Sequence, residues 1–401
     1  MSPPRKLIID TDPGVDDILS IVLALASEEV EIAALTLTFG NTTLDYALSN
    51  VLRLGGVLKE HLESDERPRT QELLQRSVGP SARKIPVYSG ATGPLAGNAF
   101  TASYFHGRDG LSSVSFLPGD PFPEPKEDFH PFQPVDPSSK DACDAILDIL
   151  AAEPPGTVYI AAVGPLTNLA LAWQKDPKTF AKVGQIAVMG GALDHAGNTT
   201  PTSEFNFFAD PYAAAVLLEI PRMHPSLNGQ PLPIHLLPLD ITHQHLVPFS
   251  QLVKSQSTLS SASPLSRFVS AFLSQPRTVM NSFAPPDAFD PQLHDNFIAH
   301  DPLAVAYAIF GSMPGWQTQE RVFKMEIDGS ITRGMCVIDR RGYHKSSAGE
   351  NQAMKDLKQN GSIKKPLVEQ DGDSSPFPIK VVVASPGSKW FADTFLSRLT
   401  L

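Results

Sequence analysis

Cysteine is nearly absent: Cys143 and Cys336 are the only two among 401 residues. Two cannot build a disulfide framework, and no Cys-x-x-Cys pair exists for zinc or dithiol chemistry. Cations are also scarce: 32 Lys and Arg stand against 43 Asp and Glu, a formal net charge of −11. Phosphate backbones and anionic lipids repel such a chain, and it has no basic stripe interleaved with aromatics. Neither nucleic acid nor membrane is therefore expected as a partner. No apolar run reaches the ~18 residues of a membrane span. The run that follows Met1-Ser-Pro-Pro-Arg-Lys6 is too short for the core of a signal peptide. The tail Arg398-Leu-Thr-Leu401 carries no lipidation signal. A soluble, cytoplasmic protein is the expectation. No internal repeat is present.

What the chain does have is 42% hydrophobic residues, enough for a large core. They fall in runs that alternate between strand and helix character. Leu7–Asp10, Ile32–Phe39, Pro86–Ser89, Val158–Val163, Gln185–Met189, Ile234–Leu239 and Lys380–Ala384 read as strands. Asp16–Ser27, Leu44–Leu58, Ala142–Ala152, Leu166–Trp173, Pro211–Glu219, Leu265–Met280, Pro302–Phe310 and Ser388–Leu399 read as helices. Arg321–Ile327 and Gly334–Asp339 read as a hairpin pair. Such alternation predicts one α/β domain over residues 1–401: a mostly parallel, open, Rossmann-like sheet with helices on both faces. Ligands of such sheets sit beyond the carboxyl ends of the strands. Three stretches interrupt the rhythm: 60–84, 112–139 and 346–375. Their polar or Pro-rich composition predicts surface insertions or mobile loops.

The first charged cluster is Asp10-Thr-Asp-Pro-Gly-Val-Asp-Asp17. It lies where a strand ends, turns through Pro-Gly and enters a helix. Asp16 and Asp17 at the helix start complement its dipole, each by roughly 0.3–1 kcal/mol. That accounts for two carboxylates of four. A hard divalent cation would offset the repulsion of the rest, and an all-oxygen set favours Ca²⁺ or Mg²⁺ over zinc. Local spacing leaves the structural and the metal readings open. His300-Asp301-Pro302 is similarly double: Asp301 followed by Pro reads as an ordinary N-cap, as Asp210-Pro211 does.

The Asp-rich motif is followed, in order, by Phe39-Gly-Asn41, Phe105-His-Gly107, Gly164-Pro-Leu-Thr-Asn168, Met189-Gly-Gly191, Glu204-Phe-Asn206 and His300-Asp-Pro302. This series resembles the inosine–uridine-preferring nucleoside hydrolase family, from about Lys6 to Asp339. The resemblance implies Ca²⁺-dependent cleavage of the N-glycosidic bond of ribonucleosides. Asp12, Asp17, Asp301 and the backbone carbonyl of Val163 would hold the ion, which also contacts the ribose hydroxyls and a water. Asp16 would be the general base that takes a proton from that water, with Asp10 in support. Asn41, Asn198, Glu204 and Asn206 would grip the ribose. His106 would sit at the pocket edge, and His300 is favoured as proton donor to the leaving base. The segment Gln275–His294 lies where relatives supply a mobile, base-contacting helix.

No Trp lies near His106, which favours uridine or broad specificity over the purine-specific branch. Nicotinamide riboside is an alternative substrate within the same chemistry. The resemblance also implies a homo-oligomer, a dimer or a tetramer. Two other readings stay open: a haloacid-dehalogenase-type phosphatase, whose Asp-x-Asp pattern Gly14 fits poorly, and a non-catalytic nucleoside-binding relative.

Overall fold

The computed structural model describes residues 3–64, 69–125, 131–220, 224–340 and 377–399. Its frame is a nine-stranded sheet. In chain order the strands of the described residues are β1 (Arg5–Thr11), β2 (Val30–Leu37), β3 (Ile85–Ser89), β4 (Phe132–Val135), β5 (Val158–Ala162), β6 (Gln185–Met189), β7 (Ile234–Leu237), β8 (Leu246–Pro248), β9 (Asn296–Ile298), β10 (Gln317–Arg321), β11 (Lys324–Met325), β12 (Cys336–Val337) and β13 (Ile379–Ala384). The large sheet runs β10-β13-β7-β6-β5-β1-β2-β3-β4. All its pairings are parallel except β10 with β13, which closes one edge antiparallel. The α/β class expected from the alternation of runs is the one found.

β1 is central, and its apolar residues divide by parity, as a pleated strand requires. Leu7 and Ile9 pack into the core shared with the helices Val15–Leu25, His300–Phe310 and Ser388–Leu399. Ile8 points the other way, toward Ile146, Leu169 and Leu217 of the helices Ala142–Ala152, Thr167–Lys175 and Pro211–Leu218. All three β1 side chains are fully buried, and each such burial contributes roughly 1.5–3 kcal/mol.

The chain leaves β1 toward β2 on one side and later returns to add β5 on the other. The connections therefore diverge between β1 and β5, the switch point at which open α/β sheets form their crevice. Asp12 follows β1 and Val163 follows β5, one on each side of it. The Val163 N–H donates to the Asp10 carbonyl at 2.8 Å and extends that ladder.

Several expectations need correction. Residues 60–84 are not a loop: they hold the end of the helix Leu44–Glu63 and the helix Arg69–Val78, with Leu74 and Val78 in the core. Residues 112–139 supply the edge strand β4 and bury Val114 and Phe132. The stretch 346–375 lies outside the described residues. Leu265–Met280, expected as one helix, is two, Pro264–Phe272 and Ser274–Ser282. Pro276 explains the break, because it has no N–H for the Phe272 carbonyl and its ring crowds that group. The Ser112 hydroxyl donates to the Phe272 carbonyl instead. The expected hairpin is reduced to β11 and β12, antiparallel and two residues each, while Arg321 belongs to the large sheet. No helix among the described residues is long and apolar enough to cross a membrane.

Candidate active site

A cavity of about 410 Å³ opens above the strand ends near the switch point. Asp16, Asn41, His106, Val163, Asn198, Glu204, Asn206, His300 and Asp301 line it, together with an apolar wall that includes Phe105, Phe205, Met280, Phe283 and Phe297. Sequence positions from 16 to 301 thus converge on one space. Asp12 and Asp17 lie just beneath, both fully buried.

The acids are held by local geometry. Asp17, in the first turn of Val15–Leu25, accepts the Gly14 N–H at 3.0 Å and Asn41 Nδ2 at 2.8 Å on Oδ2. Its Oδ1 accepts the Thr11 hydroxyl at 2.5 Å. Asp12 Oδ2 accepts the Asn41 N–H at 2.6 Å. Gly40 and Gly164 flank Asp12 so closely that a Cβ would fall 2.0 Å and 2.7 Å from its carboxylate oxygens. Carboxylate oxygens of Asp16, Asp17 and Asp301 all lie within 4.8 Å of one another. Asp301 is not an N-cap: its helix starts at His300, the cap position is Ala299, and the carboxylate joins the acidic group. Asp210, by contrast, does cap, accepting the Ala213 N–H at 3.0 Å.

Burial and like charge act together on this group. Burial, then Asp17, pushes the Asp12 carboxyl well above the ordinary range. Burial, then Asp16 and Asp17, does the same to Asp301. Asp16 is raised by burial and Asp17. Asp12 Oδ1 and Asp16 Oδ1 are buried and have no hydrogen-bond partner among the described residues. Unpartnered buried oxygens beside mutually repelling carboxylates, with no nitrogen or sulfur in the set, fit a hard divalent cation. Asp10 stands behind the group. Its Oδ1 accepts Asn168 Nδ2 at 2.9 Å and the Thr36 hydroxyl at 2.7 Å, and burial raises its pKa to about 7.

On the opposite wall, Glu204 caps the helix Phe205–Ala209 and accepts N–H groups of Asn206, Phe207 and Gly191 at 2.7, 3.1 and 2.9 Å. Burial nevertheless raises its pKa to about 7. Asn206 Nδ2 donates to the Val163 carbonyl at 3.0 Å, and Asn198 Oδ1 accepts the Phe205 N–H at 3.0 Å. His106 Nδ1 accepts the Val15 N–H at 3.2 Å, and burial lowers its pKa to about 3. Burial, reinforced by His243, His106 and His195, lowers that of His300 to about 3 as well.

Three participants were missed at the sequence level. Tyr104 lines the cavity and its hydroxyl meets Thr199 Oγ1 at 3.2 Å. His243 lines it too, its ring centroid 5.3 Å from that of His300. Thr242 holds His300 Nδ1 at 2.8 Å. A signal for the last two was available: Leu239-Asp-Ile-Thr-His243 lies one residue past β7, and strand ends are where these sheets place ligand groups.

The family model described as inosine-uridine preferring nucleoside hydrolase matches residues 7–362. An inosine-uridine preferring nucleoside hydrolase of Leishmania major is 31% identical over 340 residues, covering 84% of this chain and 88% of that protein. A pyrimidine-specific ribonucleoside hydrolase of Salmonella arizonae is 31% identical over 336 residues, covering 83% and 88%. The solved structure of a plant nucleoside hydrolase superposes with a TM-score of 0.67 at 27% identity, covering 99% of each chain. A purine-preferring ribonucleoside hydrolase from Gardnerella vaginalis shares the fold, with a TM-score of 0.68 at 23% identity and coverage of 99% and 98%. With the family match spanning most of its length, this chain belongs to the inosine-uridine preferring nucleoside hydrolases, hydrolases that act on the N-glycosyl bonds of ribonucleosides.

Proposed function

We propose that the protein binds Ca²⁺ and hydrolyses ribonucleosides to free base and ribose, accepting uridine or a broad range of bases. The observation that carries this reading is the convergence of buried acids and polar ribose-sized groups on one cavity at the switch point.

Asp12, Asp17, Asp301 and the Val163 carbonyl would hold the ion. The carbonyl can serve because its oxygen has two lone pairs and Asn206 uses one. When bound, Ca²⁺ offsets the mutual repulsion of these carboxylates and lowers the pKa of water at the cavity floor. Asp16 takes a proton from the attacking water, and burial, which raises its pKa, makes it a stronger base than an exposed aspartate. Positive charge builds on the ribose as the bond to the base breaks, and the acidic surroundings stabilise it. Asn41, Asn198, Glu204 and Asn206 orient the sugar. A site built to hydrogen-bond a 2′-hydroxyl is left with unpaired groups by a deoxyribose, so ribose is preferred.

The electron pair of the N-glycosidic bond leaves with the base. His300, held neutral by its burial, presents a ring N–H to the departing nitrogen. The base gains a proton through His300, which recovers its own from solvent, and Asp16 returns the water's proton to solvent, so the reaction sums to addition of water. Among the described residues the cavity wall contains Phe and Tyr but no Trp, which supports uridine or broad specificity. This reading also includes a homo-oligomer, a dimer or a tetramer, in a cytoplasmic setting.

The test is a hydrolysis panel of inosine, uridine, cytidine, adenosine and nicotinamide riboside, with and without chelator. Free base and ribose should appear, be lost with chelator and return with Ca²⁺. Thermal stabilisation by Ca²⁺ without turnover of any ribonucleoside would reduce the protein to a binding module. Phosphate release from nucleotides as the main activity would replace the reading with the phosphatase one.

A further inference from the structure

We propose that Thr242 is a positioning residue that holds His300 in one tautomer, with the ring proton on Nε2 and available to the cavity. This rests on the assignment of His300 to the leaving base made above.

The inference starts from a hydroxyl with one proton to place. Thr242 is fully buried at the end of the short helix Leu239–Thr242 that follows β7. Among the described residues, the one hydrogen-bond partner of its Oγ1 is His300 Nδ1, at 2.8 Å. A neutral imidazole carries its proton on one nitrogen and accepts on the other. With the proton on Nδ1, that nitrogen would donate to Oγ1, and the hydroxyl proton would be buried without an acceptor. With the proton on Nε2, the hydroxyl donates to Nδ1 and both groups are satisfied. An unmade buried hydrogen bond is costly, so the second arrangement is selected. It is also the one that turns an N–H, not a lone pair, toward the leaving base.

The backbone holds the two side chains at this separation. The Leu239 N–H donates to the Gly191 carbonyl at 2.9 Å and ties the short helix to the end of β6. The Ala299 N–H donates to the His245 carbonyl at 3.1 Å, and β8 pairs with β9 from Leu246 opposite Ile298 onward. The chain on each side of the Thr242–His300 contact is thus cross-linked. The pair is in contact with no substrate bound, as a preorganised donor requires.

The decisive experiment varies both the hydroxyl and the leaving group, using the full chain with Ca²⁺. Thr242→Val keeps the shape and removes the hydroxyl; Thr242→Ser keeps the hydroxyl. Each is assayed on uridine or inosine and on p-nitrophenyl β-D-ribofuranoside, whose phenolate departs with little help. Thr242→Val should lower kcat on the nucleoside by roughly 10- to 100-fold, leave KM nearly unchanged, and barely affect the aryl riboside. Thr242→Ser should restore the nucleoside rate. Equal losses on both substrates, or no loss at all, would overturn the proposal. His300→Ala separates this outcome from failure of the underlying assignment. If that variant shows the leaving-group dependence and Thr242→Val does not, the tautomer role falls and His300 keeps its place. If His300→Ala affects both substrates alike, the assignment falls and takes the proposal with it. The ¹⁵N spectrum of the unsubstituted protein needs no variant to fold: an unprotonated His300 Nδ1 supports the proposal, and a protonated one overturns it.

Discussion

The side-chain amide of Asn206 donates to the backbone carbonyl of Val163 at 3.0 Å. One contact therefore joins a residue assigned to the ribose with a carbonyl assigned to the ion. The same Nδ2 also lies 3.2 Å from the Met189 carbonyl, so it bridges the ends of β5 and β6. Asn206→Ala should weaken both functions together. KM for a ribonucleoside should rise and Ca²⁺ affinity should fall, each by about 10-fold or more. Steady-state kinetics and calorimetric Ca²⁺ titration measure the two; a change in only one would show that the functions are not joined here.

Asp16 has a different dependence. One of its oxygens is buried without a hydrogen-bond partner among the described residues, and it lines the cavity. Asp16→Ala should lower kcat by roughly 10²- to 10⁴-fold while substrate still binds. Near-normal turnover would remove it from the role of base. Equilibrium binding of a nucleoside to the variant completes the measurement.

Gly14 gives a steric prediction. A Cβ there would lie 2.5 Å from His106 Nδ1 and 2.8 Å from Asn41 Nδ2. Both groups are engaged, His106 with the Val15 N–H and Asn41 with Asp17. Gly14→Ala should cost about 1–3 kcal/mol, the usual penalty for overpacking, and reduce activity beyond that loss. Urea denaturation and kcat report the two effects.

Glu204 makes stability depend on pH. Burial raises its folded pKa from 4.5 to about 7. Between these values the folded state holds a proton that the unfolded state has released, so stability falls as pH rises through the window. The full shift corresponds to roughly 3 kcal/mol at most. Glu204→Gln cannot ionise, so its stability should decline less steeply than that of the unsubstituted protein between about pH 4.5 and 7, with the two profiles parallel above it. Chemical denaturation at several pH values measures the slopes, and identical slopes would refute the expectation.

Much of this was readable from the chain. The strand ending at Asp10 and the helix entered at Asp16 follow from Leu7-Ile-Ile and the Pro-Gly turn, and the structure has both. Those were local signals with strong periodicity. Four features depended on tertiary context. The helix Arg69–Val78 is polar over most of its length, and among its described side chains Leu74 and Val78 are the ones that reach the core. The strand β4 contains Pro134, tolerable because it is an edge strand. The break at Leu273 is a consequence of Pro276 inside an otherwise helical pattern. Thr242 and His243 lie past the end of β7, and only the sheet order places that end beside the cavity. Asp301 is the opposite case: its local signature is that of a common cap, the family resemblance makes it an ion ligand, and its carboxylate lies in the acidic group.

The acidic group also has a temporal side. Asp12, Asp16 and Asp17 come early in the chain, just before and within the first turn of the helix Val15–Leu25, while Asp301 is in the first turn of the helix His300–Phe310; the two helices share one core. During synthesis, the first three acids emerge long before the fourth. An emerging chain therefore carries an incomplete set of carboxylates until the later helix docks. On the proposed reading, ion capture and hydrolytic competence become late events of biogenesis, tied to completion of the core and not to the appearance of the Asp-rich motif. A truncated product ending before that helix would have the motif most diagnostic in the sequence and none of the chemistry.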